Sequence, residues 1–583
     1  MEWLRRLVIH HRRSSILLAI MKCVQILLLL LLMSGTTDRV AAAAGHVAVA
    51  HPAVQPQSGL HETSVTAKLG LPSLVQQSAP IYPQHSRTSG SGSRTLQAQE
   101  QQNQQPEGPQ APEALLAKGF KGLAPPALRN WRRLTDKLNT PGSNITVVTF
   151  GGSITAGYID DSPNSSWVDS LMTWFRSSYP TVNFTVLNLA RGSNDVSPAA
   201  TCWYQQAPQD ADLVLVEYSV NGCSGLLFCH SFVAPRVGAY EVFMRRIIRW
   251  APSSALLSVA AFNFFLKDEL LRDAQGALTG TKVAMPNPYY GSGENFHTKI
   301  AHRYGVPVAS IRDALYDVMY DDQLLLAATG MTRRQLLSRN VVHPSTSGHI
   351  LYAKVIAYTI RLTIDSVLNA TPGSAVLAEQ QQPRLLPSPI SPLAGEGADS
   401  DAFCAESVAL QQYATNSSGW TWSTPLVAGP CPHPNSCTRG FYAAGAGKTL
   451  ELQFDTQNSI QSTSGAGPDR RSLIGMFYAQ NFLGWWARMG VAQLSCVRGC
   501  SCKPLVMAKS ALRLQGQNFS GHLGMLKTEV TAHPQCVIRV TIVGSADNST
   551  GQEFFFNGVA VVPYTNFKPT LAIDKRAVAA FGY

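Results

Sequence analysis

The chain has 583 residues, 45% of them apolar and only 14% charged, which is material for packed cores and excludes a wholly disordered chain. That length is too great for one compact domain. Lys and Arg number 47 against 36 Asp and Glu, a formal charge of +11, yet no segment beyond the N-terminus gathers the excess into a basic stripe, so nucleic acid is excluded as a partner.

Residues 1–44 read as a targeting segment. Arg5, Arg6, Arg12 and Arg13 precede an apolar stretch whose core, residues 24–33, has the length of a signal-peptide h-region. Ala41 to Ala44 then offer small residues at A-x-A spacing. Two readings stand: a cleaved signal peptide, or an uncleaved membrane anchor through residues 16–33 with Lys22 snorkelling towards the basic side. Both deliver the chain to the secretory pathway, either secreted or held at a membrane with its domains lumenal or extracellular. Residues 45–118 form a low-complexity stalk of Pro, Ser, Gly and Gln, too poor in apolar groups to offset the entropy of ordering.

Over residues 119–372 strand and helix patterns alternate. Residues 145–150, 186–189, 213–217 and 255–261 are short apolar runs of strand length. Between them Trp167, Leu171, Trp174 and Phe175, and then Val237, Tyr240, Met244 and Ile247, recur at helical spacing; residues 347–368 carry a longer helical pattern. Strands that are apolar without strict alternation and are separated by helices predict a three-layer α/β sandwich around a parallel sheet. A Pro-rich linker follows over 373–400. Over 401–583 the period becomes two, as in residues 450–454, 537–543 and 554–562, which predicts an antiparallel β-sandwich.

Seven N-x-S/T acceptors (Asn144, Asn164, Asn183, Asn369, Asn416, Asn518 and Asn548) fit a glycosylated surface. Ten cysteines lie beyond the targeting segment, three in the first domain and seven in the second. Odd counts on both sides require an interdomain bridge or a free thiol in each. Cys496, Cys500 and Cys502 lack a fourth ligand at zinc-site spacing and read as disulfide partners; no metal or organic cofactor is called for.

The chemistry-bearing residues fall at strand ends, where open parallel sheets bind ligands. The first strand runs into Gly151-Gly152-Ser153-Ile154-Thr155-Ala156-Gly157. This is neither a phosphate loop, since Gly-Lys-Ser/Thr is missing, nor the G-x-S-x-G elbow, since Thr155 stands where the last glycine belongs. The second strand leads to Gly192, the third to Asn221, and His343 precedes the last helix. Ester cleavage needs a nucleophile, a base and oxyanion donors. Ser153 and His343 suit the first two roles. The Ser153 and Gly192 N–H groups and the Asn221 amide suit the third.

These four blocks resemble the SGNH hydrolase superfamily, the GDSL esterases, over residues 140–370. The resemblance implies a flavodoxin-like α/β fold, Ser153 as nucleophile and first oxyanion donor, Gly192 and Asn221 completing the hole, and His343 as general base. Gly152 stands where the family usually has aspartate. The tail, residues 492–502 and 539–543, resembles the appended β-domain of plant and green-algal members. The family also places an aspartate three residues before the histidine, and here that position is Asn340. Asparagine accepts a hydrogen bond from Nδ1–H but brings no charge; in the serine-protease template the equivalent change costs about 10⁴ in rate. The resemblance implies a serine esterase acting on O-acyl, above all O-acetyl, groups of extracellular or cell-wall glycans or on a small ester, or an acyltransferase discharging the same acyl-enzyme to a sugar. The competing class is a non-catalytic glycan-binding or wall-structural protein, with Trp420, Trp422, Trp485 and Trp486 stacking on sugars or buried as core.

Overall fold

The computed structural model describes residues 112–563 except 123–127, 158–165, 193, 222–228, 230, 267–284, 338–342, 370–385, 395–401, 424–438, 458–470, 480–487, 509–521 and 545–550. Residues 1–44, read as a targeting segment, lie outside them, as do Asn340, Trp485 and Trp486. Among the described residues no helix is long and apolar enough to cross a membrane.

The first region is built on a six-stranded sheet. Its strands are β1 (Phe120–Lys121), β2 (Asn144–Gly151), β3 (Asn183–Asn188), β4 (Leu213–Glu217), β5 (Ala255–Ala260) and β8 (Val308–Ser310); β6 (Phe265–Leu266) and β7 (Met285–Pro286) form a separate hairpin. The sheet order is β1-β8-β5-β4-β2-β3, with β1 antiparallel and the other five parallel. Along the parallel strands the chain order is 2-1-3-4-5, the doubly wound order whose direction reverses at β2.

Both faces are covered, which is why these strands read as continuous apolar runs. From β2, Ile145 and Val147 join a core with the helices Leu128–Leu138, Trp167–Ser178 and Thr346–Leu368. Val148 and Phe150 turn to the other face, against the helices Pro235–Trp250 and Glu294–Arg303. The first helix of this layered unit, Glu113–Lys118, lies within the stretch read as stalk, and its Leu115 is buried. Residues 386–394, within the stretch read as linker, also dock here: the buried Glu241 accepts hydrogen bonds from the Ile390 and Ser391 N–H groups, and Arg245 donates to the Pro387 carbonyl.

The second region has strands β9 (Phe403–Glu406), β10 (Ala414–Asn416), β11 (Thr421–Ser423), β12 (Gly440–Ala444), β13 (Thr449–Phe454), β14 (Arg471–Ala479), β15 (Val491–Arg498), β16 (Leu505–Met507), β17 (His522–Val530), β18 (Cys536–Gly544) and β19 (Glu553–Pro563). All pair antiparallel, in a sheet β10-β13-β18-β15-β16 and a sheet β11-β12-β19-β14-β17 with β9 added beside β19. Leu450, Leu452, Ile538, Val540 and Leu494 of one sheet meet Phe441, Leu473, Phe477, Phe554 and Phe556 of the other in a single core. Ile474, Met476, Leu523, Met525, Ala560 and Val562, on the opposite face of the second sheet, join the α/β core that also holds Val237, Tyr240 and Met244.

Covalent links follow the cysteine arithmetic. Cys202 is bonded to Cys404, bridging the two regions. Cys496–Cys502 and Cys500–Cys536 close the tail, with Cys536 arriving from β18 beside the Cys-rich run. Of the sequon asparagines, Asn144, Asn183, Asn369 and Asn416 are described, and all four are exposed.

Candidate active site

The serine turn is shaped by what surrounds its two glycines. β2 ends at Gly151, and Ser153–Ala156 form a single helical turn closed by Gly157 at φ 85°, a left-handed position that suits glycine. A Cβ on Gly151 would collide with the Thr155 side chain and come within 2.9 Å of the Glu217 carbonyl; a Cβ on Gly152 would collide with the Asn221 amide. The Gly-Gly pair is thus dictated on one side by β4 and on the other by Asn221. At Gly152 the Asn221 side chain occupies the space a Cβ would need.

Hydrogen bonds fix the turn further. Thr155 Oγ1 donates to Glu217 Oε2 at 2.9 Å, and Asn188 Nδ2 donates to the Thr155 carbonyl at 3.0 Å. Asn188 Oδ1 in turn accepts from Thr149 Oγ1 and the Ala190 N–H. The Arg191 N–H donates to the Gly151 carbonyl at 3.0 Å, which sets the segment carrying Gly192 beside the serine turn. Asn194 Nδ2 donates to the Gly192 carbonyl at 2.8 Å. Glu217 is fully buried, and desolvation pushes its pKa up to about 7 against the Thr155 hydroxyl and the Gly152 N–H, which lower it.

His343 reaches this turn from the far end of the sequence. Its Nε2 lies 2.7 Å from Ser153 Oγ, and both residues are half-buried. The following helix, Thr346–Leu368, starts at Ser345, whose hydroxyl accepts the Gly348 N–H. His349, on its first turn, is buried and accepts the Trp167 N–H on Nδ1, so it organises the start of the helix Trp167–Ser178. Burial, with His343 adding to it, lowers its pKa to about 3 and keeps it neutral.

Ser153, Asn221 and His343 thus converge with Gly192 at the carboxyl ends of β2, β3 and β4, around the strand where the sheet order reverses. Asn340 lies outside the described residues. Two carboxylates that could supply the missing charge are both engaged: Asp321 is the N-cap of the helix Asp322–Thr329, accepting from the Gln323 and Leu324 N–H groups, and Glu217 accepts from Thr155. Sequence reading missed Thr155, Asn188 and Asn194, small polar residues whose partners are distant in sequence. In the β region Trp420 is core and Trp422 is half-buried, edge-on to Phe441 at 4.9 Å.

By sequence, neither a family model nor a curated protein matches the chain. By structure it is similar to a two-domain esterase (CEX) active on acetylated mannans, with a TM-score of 0.51 over 77% of this chain and 99% of that one at 15% identity. The same esterase co-crystallised with mannopentaose matches with a TM-score of 0.49 and 15% identity over 77% of this chain and 98% of that one. A lipase/acylhydrolase from Enterococcus faecalis matches 38% of this chain and 96% of its own length, with a TM-score of 0.26 and 16% identity. At these identities the likeness to the two-domain esterase is one of fold, and its coverage requires both regions. The esterase-type fold expected from residues 140–370 therefore holds at the level of architecture.

Proposed function

We propose that this protein is a serine esterase that removes O-acetyl groups from glycans of the cell wall or extracellular space. The observation that carries the reading is the 2.7 Å contact between His343 Nε2 and Ser153 Oγ, set at the switch point of the sheet with Asn221 against Gly152. In this reading Ser153 Oγ attacks the ester carbonyl and passes its proton to His343 Nε2. The Ser153 and Gly192 N–H groups and Asn221 Nδ2 stabilise the oxyanion. Collapse of the tetrahedral intermediate releases the sugar hydroxyl, which takes the proton from His343. Water then attacks the acetyl-enzyme with His343 again as base, giving acetate and free Ser153. Asn340 is assigned to hold His343 by a hydrogen bond without contributing charge.

The acetylated-mannan activity of the structural neighbour supports the substrate class. The resemblance of the tail to plant and green-algal members favours a wall polysaccharide. Export through residues 1–44, either by cleavage or by anchoring, belongs to the same reading. Acetate release from acetylated polysaccharide by the purified chain tests it: turnover and fluorophosphonate labelling in the wild type, both lost by about 10⁴ or more in Ser153→Ala, are expected. Folded wild-type protein that neither labels nor releases acetate would refute it.

A further inference from the structure

We infer that the β region is a working part of the active site: Glu406 of β9 and the backbone of β17 hold the segment that presents Gly192, so the second region positions an oxyanion donor. The inference rests on the esterase reading for its catalytic consequence and on geometry for the restraint itself.

Gly192 has no side chain to anchor it and a wide backbone freedom, so the direction of its N–H is set by its neighbours. Both neighbouring anchors reach the β region. Arg191, whose backbone is bonded to Gly151, sends Nη1 to Glu406 Oε1 at 2.7 Å and Nη2 to Gln206 Oε1 at 3.0 Å, with its guanidinium 4.1 Å above the Trp203 ring. Glu406 Oε2 accepts the Trp203 indole N–H at 2.8 Å. The pair is largely desolvated, the side chains being 12% and 5% exposed. Glu406 is locked in place by the Cys202–Cys404 bridge, which ties β9 two residues earlier to the residue just before Trp203. On the other side of Gly192, the Asn194 amide donates to the Gly192 carbonyl and accepts the Leu523 N–H of β17 at 3.1 Å. Two separate strands of the β region thus grip the chain on either side of Gly192, at Arg191 and at Asn194.

A buried ion pair is a poor source of stability compared with apolar packing, because its desolvation offsets its attraction. It is a good source of fixed geometry. Loss of one oxyanion donor costs about 10²–10³ in kcat, so a loosened Gly192 should cost about 10–100-fold.

The test uses the full chain with Glu406→Gln, an isosteric change that removes the charge. The expected result is a 10–100-fold fall in kcat with KM within about threefold, and faster amide hydrogen exchange over residues 189–195. Asn194→Ala, which cuts the second grip and leaves the ion pair intact, should shift both readouts in the same direction and replaces the first variant if that one does not fold. Glu451→Gln, in the exposed Arg539–Glu451 pair of the outer sheet, should leave both unchanged. Folded Glu406→Gln and Asn194→Ala with wild-type kcat and wild-type exchange would overturn the inference, as would a lowered melting temperature with kcat intact. If the wild type neither labels nor turns over, the esterase reading falls, and the exchange comparison still decides whether the β region restrains the segment.

Discussion

The two regions bury different things. The α/β region buries charge and polarity: Glu217, Glu241, Glu294, Arg312, His297 and His349 all lie inside it. The β region buries mostly apolar side chains, with Glu406, Arg471 and Asn557 among its exceptions, and its internal ion pairs Arg539–Glu451 and Arg488–Glu553 lie towards the surface. Buried polar groups are costly unless they are paired, and they persist where geometry has to be held to fractions of an ångström. The site accordingly lies wholly in the first region. The second contributes a sheet buried on both faces and two grips on the Gly192 segment, and under the proposed function it would serve the chemistry through that segment.

The sharpest way to break this comparison is to remove the β region. A chain ending at residue 395 should give no soluble folded protein by circular dichroism and gel filtration. The α/β surface covered by Ile474, Met476, Leu523 and Met525 would return to water, at about 1.5–3 kcal/mol for each large side chain, which approaches the whole stability of an ordinary domain. A well-folded, monomeric truncation would mean that the shared core is an ordinary domain contact.

Disulfides give the next contrast. The Cys202–Cys404 bridge closes a separation of 202 residues and Cys496–Cys502 one of 6. In the chain-entropy picture the first contributes about 5 kcal/mol and the second about 2 kcal/mol. Paired Cys→Ser substitutions, compared by urea unfolding, should reproduce that order.

The buried carboxyls predict a pH signature confined to the first region. Burial pushes Glu217 and Glu294 up to about 7, so the folded chain binds these protons more tightly than the unfolded one. Their contribution is therefore fully present below about pH 4.5 and is lost as the pH rises towards 7. Glu217→Gln keeps the acceptor for Thr155 and removes the titration. It should be more stable than wild type at pH 8, by up to about 3 kcal/mol, with the difference vanishing near pH 4. Equal stability curves across that window would contradict the burial argument.

The smallest expected effect lies at the base. In the proposed mechanism His343 becomes cationic as Ser153 attacks, and a neutral amide at position 340 would stabilise that charge less than a carboxylate would. Asn340→Asp should raise kcat/KM for an activated acetyl ester about tenfold, or about 1.4 kcal/mol of barrier. An unchanged or lower rate in folded protein would mean that the imidazolium draws its stabilisation from another group.

Much of the α/β sheet was legible because buried parallel strands leave continuous apolar runs: residues 145–150, 213–217 and 255–261 correspond to Asn144–Gly151, Leu213–Glu217 and Ala255–Ala260 almost residue for residue. The edge strand Asn183–Asn188, half-exposed, left a weaker trace and was placed three residues late. In the β region strict alternation revealed Thr449–Phe454 and Cys536–Gly544, each with one face in the sandwich core. It gave no hint that the sheet containing β14, β17 and β19 packs its other face into the core of the first region.

By itself the sequence determined the alternation of elements, the strand ends at which Ser153, Gly192 and Asn221 stand, the place of His343 before the last helix, and the need for the cysteines to pair across the two regions or remain free. These are local or countable properties: a period, a turn, an odd number. Only the tertiary structure decided which groups meet. That Gly152 is glycine because Asn221 fills the space of its Cβ, that Asp321 caps a helix, that Cys536 completes the Cys-rich tail and that Glu406 holds Arg191 from 215 residues away carry no spacing signal. Each depends on two chain segments brought together by the burial of other residues, and the partners themselves have no periodicity to betray them.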